Sequence, residues 1–119
     1  MTDESILDRG ALQRLDEWGG ASLRRKMIEI FLETTPARMA QIRAGIDTDD
    51  LKAVEIGAHT LKSSAGNVGA VHLQRAAEEA ETLANDEDME ALLTRVPVLE
   101  ETFGAAQEAL KLLLDGMET

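Results

Sequence analysis

Apolar residues recur at steps of three and four along almost the whole chain, and this spacing restricts the fold to packed helices. The pattern is clearest in residues 89–114, where the two steps alternate without a miss: Met89, Leu92, Val96, Leu99, Phe103, Ala106, Leu110 and Leu113. That period puts the apolar side chains on one side of an α-helix. We assign this stripe to the core rather than to a dimer seam, because a small bundle needs the surface for itself. No segment shows the two-residue alternation of a strand. The sequence therefore predicts an all-α protein.

Cap and turn residues divide the chain into one short and four long helical segments. Asp8 suits the N-cap of the first, with Leu7 packing on Leu12, and Gly19-Gly20 ends it. The long segments cover about 21–48, 49–68, 70–84 and 89–114. We predict an antiparallel up-down four-helix bundle with a short additional N-terminal helix, in a single domain over residues 1–119.

Two prolines fall inside the long segments. Pro36 either bends the second segment or restarts it with Thr34 or Thr35 as the cap, and Pro97 poses the same choice in the last segment.

His59 lies on a helix surface rather than in a core. The apolar residues around it form one stripe at helical spacing: Leu51, Val54, Ala58, Leu61, Ala65 and Val68. His59 lies about 130° from the middle of that stripe and so points outward. Lys62 and Ser63 follow at three and four residues, close enough to contact any group that His59 carries. Gly66, two turns on, gives a clear approach to the imidazole or prepares the helix end near Gly69.

The stretch from His59 resembles the signature of a known family. It reads His-Thr-Leu-Lys-Ser-Ser over 59–64 and Asn-Val-Gly-Ala over 67–70. This is similar to the histidine phosphotransfer (HPt) domains of bacterial phosphorelays, in which H-x-L-K-G-S is followed by a Gly-Ala pair. Ser63 replaces the usual glycine, and we expect access to His59 to survive the change. The resemblance runs over nearly the whole chain.

An acidic side chain on the following helix is expected to contact His59. If the two helices turn back near Gly69, Glu78 and Glu81 lie roughly level with the imidazole, and either carboxylate is within reach. In the resembling family a Glu or Gln on this helix orients the histidine, and counting along the motif selects Glu81. A neutral imidazole is a nucleophile near pH 7, and a carboxylate on Nδ1–H leaves Nε2 free to attack.

The resemblance implies a phosphocarrier that needs partners. His59 is then the phosphoacceptor, Lys62 stabilises phosphate charge, Glu81 orients the ring, and Ser63 and Gly66 provide access. The sequence has no phosphate-binding glycine loop and no Mg²⁺-binding acid cluster of recognisable spacing, so we predict no kinase activity, no metal and no cofactor of its own. The implied partners are response-regulator receiver domains, which would supply Mg²⁺, and a hybrid histidine kinase.

Charge and composition exclude several partner classes. The net charge of −11 argues against nucleic acid and anionic membranes. Cysteine is absent, the acidic N-terminus lacks the features of a secretory signal, and no apolar run is long enough to span a membrane. We therefore expect a cytoplasmic protein. Because receivers are also acidic, docking would depend on an apolar patch, whose candidates are Ile56, Ile6, Leu7 and Leu12, and on local cations at Lys52 and Lys62.

Other function classes fit less well. A bundle metalloenzyme needs paired Glu-x-x-His motifs, but Ile56 and Gly69 stand three residues before His59 and His72. We assign His72 to the plain surface. A kinase dimerisation helix has an acid directly after its histidine, where this chain has Thr60. The alternative that stays open is a non-catalytic four-helix interaction module in which His59 is not phosphorylated.

Overall fold

Four helices make up the described part of the protein. The computed structural model describes residues 6–117, so the ends of the predicted domain, 1–5 and 118–119, lie outside the described part. The helices are α1 (Arg9–Asp47), α2 (Leu51–Asn67), α3 (Val71–Asn85) and α4 (Met89–Met117). Consecutive helices pack against each other and α4 packs against α1, which closes the bundle. Because each connection is only three residues long, neighbouring helices run antiparallel. Residues 6–117 contain no strand, and the all-α bundle prediction is confirmed.

The predicted short N-terminal helix is the first part of α1. Asp8 is its N-cap, and its carboxylate accepts a hydrogen bond from the Gly10 amide at 2.9 Å. Gly20 interrupts α1 with a φ of +71° and a ψ of −167°. Residues other than glycine rarely adopt this conformation. Residues 9–19 therefore form a short segment, and residues 21–47 form the long helix of the bundle.

Neither proline starts a new helix. α1 continues through Pro36 and α4 through Pro97. Thr34 and Thr35 are not caps, because their hydroxyls donate to the carbonyls of Ile30 and Phe31 one turn earlier. These bonds satisfy the hydroxyls within the helix, including that of the fully buried Thr35.

The connection between α2 and α3 also holds the N-terminal segment. Gly69 adopts a φ of +74°, and its carbonyl accepts a hydrogen bond from the Asp8 amide at 2.6 Å. Leu7 and Leu12 are buried in the core beside this contact, which agrees with the predicted pairing of these two leucines. The short segment therefore covers the end of the bundle where α2 turns into α3.

Candidate functional site

His59 projects from the outer face of α2. Val54, Ala58, Leu61 and Ala65 are fully buried on the opposite face and fix the rotation of the helix. The His59 side chain is consequently 61% exposed. This matches the outward direction that the apolar spacing predicts.

Glu81 of α3 contacts the imidazole. Its Oε2 lies 2.7 Å from His59 Nδ1. The turn at Gly69 brings α3 back along α2, so residues ten before and twelve after that turn are level. Of the two acids that this counting left open, the structure brings Glu81 to the ring. The charge of Glu78, one turn earlier on α3, helps to raise the pKa of Lys62.

The same carboxylate also binds Lys62. Lys62 Nζ lies 2.7 Å from Glu81 Oε1, so the two oxygens of Glu81 serve two different groups on α2. The hydrogen bond from Lys62 lowers the pKa of Glu81, with a smaller contribution from His59 in the same direction and partial burial opposing both. The pKa of Lys62 is raised, chiefly by its hydrogen bond to Glu81. Both groups are therefore charged at neutral pH.

These charges define which ring nitrogen carries the proton. An ionised carboxylate only accepts hydrogen bonds. The contact with Glu81 thus requires the proton on Nδ1, which leaves the lone pair on Nε2. Within residues 6–117, Nε2 has no hydrogen-bond partner. The arrangement presents an oriented nucleophilic nitrogen to the solvent.

Ser63 and Gly66 stand at different distances from the ring. Ser63 is exposed one turn after His59 on the same face. Gly66 lies two turns away, about 10 Å along the axis. A Cβ at Gly66 would approach the side-chain nitrogen of Gln74 to 3.0 Å. The side-chain amide of Gln74 on α3 therefore lies beside the position that a side chain at Gly66 would occupy, a contact that the sequence did not reveal.

Part of the predicted apolar patch belongs to the core. Leu7 and Leu12 are buried, and Ile6 is half-buried, so the two leucines are unavailable for docking and that prediction was wrong. Ile56, one turn before His59, is 48% exposed. Lys52 forms an ion pair with Glu55 at 3.2 Å and is not an isolated cation.

Two exposed apolar residues of α1 were missed. Trp18 is 73% exposed, and with Gly66 and Asn67 it lines a cleft of about 370 Å³ beyond Ser63. Ile30, which the spacing assigned to the core, is 42% exposed and lies near Ser64 and Asn67. The sequence contains a sign that Ile30 is exposed, because Ile30 and Phe31 are adjacent in a helix and cannot both face the centre of the core.

Three further observations concern the described residues away from His59. His72 is exposed at the start of α3, in agreement with its assignment to the surface. The described part of the chain has no group of three His, Cys, Asp or Glu side chains arranged to hold a metal ion. In the same residues, none of the helices is long and apolar enough to cross a membrane.

Comparisons with known proteins identify a family and similar folds. The family model of the Hpt domain matches residues 26–118. Similar solved structures include histidine-containing phosphotransfer protein B of Pseudomonas aeruginosa PAO1, with a TM-score of 0.86 and 22% identity over 92% of this chain and 95% of that chain. The HPT domain of a sensor hybrid histidine kinase from Shewanella gives a TM-score of 0.80 and 18% identity over 92% of this chain and 94% of that chain. A rice protein described as a putative histidine-containing phosphotransfer protein gives 0.80 and 16%, over 98% of this chain and 84% of that chain. No curated protein matches the chain in sequence.

Proposed function

This chain belongs to the Hpt domain family, and on that premise we propose that it accepts a phosphoryl group on His59 from a receiver-domain aspartyl phosphate and donates it to another receiver aspartate. The family establishes the coarser role, a phosphotransfer carrier in two-component signalling. The observation that carries the finer proposal is the 2.7 Å contact between His59 Nδ1 and Glu81 on a ring that is largely exposed. That contact leaves Nε2 as the nucleophile.

The residues around His59 have separate parts in this chemistry. Phosphoryl transfer depends mainly on positioning and on neutralising charge. Glu81 fixes the direction of the ring, so Nε2 faces the incoming phosphorus in line with the departing carboxylate. Lys62, held by Glu81 within one helical turn of His59, stabilises charge on the transferred oxygens. Ser63 and the space beside it allow a partner to approach.

The phosphoryl donor and its metal are supplied by the partner. The sequence contains no nucleotide-binding loop. We propose that receiver domains, with Mg²⁺ at their own acidic sites, are the partners, and that a hybrid histidine kinase acts upstream. One similar structure is the HPT domain of such a kinase, which supports this partner class.

Docking rests on apolar contact more than on charge. The chain carries a net charge of −11, and receiver sites are acidic, so long-range attraction is unfavourable. Ile56 exposes apolar surface on α2, one turn before His59, and Ile30 does so on the neighbouring α1. Trp18 adds apolar surface at the α2 end near Asn67. We propose that these three residues form the apolar docking patch.

Transfer of a labelled phosphoryl group tests the proposal. The chain is incubated with receiver domains carrying ³²P-labelled aspartyl phosphate, as wild type, His59→Gln and His72→Gln. We expect acid-labile, base-stable label on the wild type and on His72→Gln, because His72 is an exposed histidine away from Glu81. No label is expected on His59→Gln. A wild type that stays unlabelled with every receiver of a panel supports the interaction module instead.

A further inference from the structure

The cleft beside Trp18 lies between the N-terminal part of α1 and the end of α2. Its volume of about 370 Å³ is within the range of small-molecule sites. Apolar side chains from both parts of α1 line it, and Gly66 contributes no side chain that would fill it from α2. Its polar and aromatic groups come from Arg14, Trp18 and Asn67. The phosphoryl chemistry at His59 uses none of these three side chains.

The charge beside the cleft is opposite to that of the whole protein. Residues 9–26 carry five cations and two acids, although the chain has a net charge of −11. Of the two acids, Asp16 is paired with Arg24 at 3.2 Å. Glu17 lies one turn from Arg14, and no ion pair joins the two in the part of the chain that the structure describes. Because exposed charges are largely screened beyond about 8–10 Å in physiological salt, this local excess of cations favours an anion in the cleft.

Two polar side chains that line the cleft have donors to offer a ligand. Among the described residues, neither the Arg14 guanidinium nor the Asn67 amide has a hydrogen-bond partner. The guanidinium extends toward the first turn of α1, since a Cβ added at Gly10 would lie 3.7 Å from Arg14 Nη1. A guanidinium presents paired donors that match the oxygens of a phosphate. A side-chain amide both donates and accepts, as the polar edge of a nucleobase does.

Trp18 adds a surface for a planar ring. Its side chain is 73% exposed and lies four residues after Arg14, so the two side chains share one face of the segment. Stacking on an exposed aromatic ring favours any nucleobase, because every base has a flat face. An apolar ligand would leave Arg14 unpaired, and inorganic phosphate would leave Trp18 uncovered. We propose that the cleft binds a nucleoside phosphate, with the base against the Trp18 indole and the phosphate on Arg14.

A bound nucleotide would cover part of the docking patch. Trp18 is one of the three residues that we assign to receiver docking. Occupation of the cleft should therefore compete with the receiver and slow transfer to His59. This consequence rests on the proposed function, whereas binding of the nucleotide does not.

Tryptophan fluorescence measures the binding directly, because Trp18 is the one tryptophan of the chain. Adenosine 5′-triphosphate and guanosine 5′-triphosphate are titrated into the full chain. Adenosine and inorganic tripolyphosphate, followed by calorimetry, each carry half of the ligand. We expect saturable quenching by both triphosphates. Each half should bind at least about tenfold more weakly, because it makes only one of the two contacts.

Three variants locate the ligand within the cleft. Arg14→Gln should weaken triphosphate binding about tenfold, because it removes a charge-assisted contact. Trp18→Leu, followed by calorimetry, should weaken it by a similar factor through loss of stacking. The control Arg75→Gln makes the same change at an exposed arginine of α3 that does not line the cleft, and it should match the wild type. Adenosine should bind Arg14→Gln as it binds the wild type, which shows that the cleft itself is intact.

The outcomes decide the site without any receiver. Equal triphosphate affinity in wild type and Arg14→Gln overturns the proposal. Tripolyphosphate that binds as tightly as the nucleotides also overturns it, because the site would then be a general anion contact. Fluorescence that does not saturate at millimolar triphosphate has the same meaning.

Uptake of label from a phosphorylated receiver tests the competition separately. With Mg²⁺ in excess, adenosine 5′-triphosphate at a concentration that saturates the wild-type cleft should slow uptake by the wild type and have less effect on Arg14→Gln. An unchanged wild-type rate with the nucleotide bound refutes the competition and upholds the site. A chain that takes up no label from any receiver refutes the relay, and the fluorescence titration still decides whether the cleft binds a nucleotide.

Discussion

Replacing Gly69 with alanine should destabilise the protein through the contact between the α2–α3 turn and the N-terminal segment. Gly69 has a φ of +74°, where an L side chain is strained. A Cβ there would lie 2.6 Å from the carbonyl oxygen of Asp8 and 3.1 Å from the Ala11 Cβ. The first neighbour is backbone, so a side-chain rotation cannot relieve the overlap.

Two contributions determine the size of the effect. The left-handed backbone costs a non-glycine residue about 1–2 kcal/mol. Moving the Asp8 backbone away also breaks the bond from its amide to the Gly69 carbonyl, whose net contribution is about 1 kcal/mol. The sum is roughly 2–3 kcal/mol, which for a chain of this size lowers the melting temperature by roughly 10 °C. Partial loss of packing by Leu7 and Leu12 would add to it.

Urea unfolding followed by circular dichroism measures this loss, and Gly104→Ala is the matched control. Gly104 lies inside α4, where a Cβ would meet nothing within 4 Å, so alanine should stabilise the protein there by up to about 1 kcal/mol. Amide exchange at Asp8 should accelerate in Gly69→Ala and stay unchanged in Gly104→Ala. A Gly69→Ala variant within 0.5 kcal/mol of the wild type (about the effect of a neutral surface substitution) would refute the steric argument.

Four further predictions concern the region around His59. Lys62→Met should slow phosphoryl uptake from a labelled receiver by about tenfold or more in rapid-quench kinetics, because it removes one stabilising charge; an unchanged rate would contradict its role. Because the pKa of Glu81 is lowered in the folded protein, its ion pair stabilises the fold above the ordinary carboxyl value of about 4.3 and is lost as pH falls through the lowered pKa. The wild type should therefore be more stable than the variant Glu81→Gln at pH 7, by at most about 1 kcal/mol, and this difference should vanish in acid. Urea unfolding at several pH values measures it. Ile56→Ser should weaken receiver binding about tenfold in calorimetry, because it removes roughly one buried apolar contact. The control Leu93→Ser, at an equally exposed position on α4, should leave binding unchanged. Ser63→Gly should leave the transfer rate within about twofold and cost about 0.5 kcal/mol of stability, since serine is the better helix former.

The helices were predictable because local signals agree with packing. The first segment begins after the cap Asp8 and ends at Gly20. In α4, the three-four spacing accounts for five of the six buried residues, Leu92, Leu99, Phe103, Ala106 and Leu110, and misses Ala109. The sequence could not decide whether Leu7 and Leu12 are buried in the core or exposed for docking. An apolar residue near a helix start suits a hydrophobic staple and a surface patch equally well. The prolines were ambiguous for a similar reason. Whether a helix bends or restarts depends on its packing neighbours, and those are not visible in the spacing.

The signature around His59 combines residues of the site with residues of the scaffold. His59 and Lys62 meet at the Glu81 carboxylate, whereas Gly69 serves the turn and Gly66 lets Gln74 approach. One contiguous motif therefore carries two kinds of constraint, and the sequence left Gly66 open between access to His59 and the helix end near Gly69. Glu81 lies 22 residues from His59, and its selection over Glu78 required the register of two helices across a turn. The resemblance supplied that register, since helix rise alone left both acids within reach.

The ion pair between Lys62 and Glu81 changes how the acidic protein can meet an acidic partner. Before transfer, the cation nearest the phosphoacceptor is already neutralised at 2.7 Å, and Lys52 is neutralised by Glu55. Neither lysine presents an uncompensated charge to a receiver at long range, so attraction cannot come from them. In the relay proposed above, we therefore expect apolar contact through residues such as Ile56 to hold the complex. Lys62 would act on the phosphoryl group only at short range, once the partner has docked. Binding and charge stabilisation are thereby assigned to different side chains. Raising the salt concentration should consequently strengthen receiver binding or leave it unchanged, and a steep loss of affinity with salt would show that the docking contact is ionic.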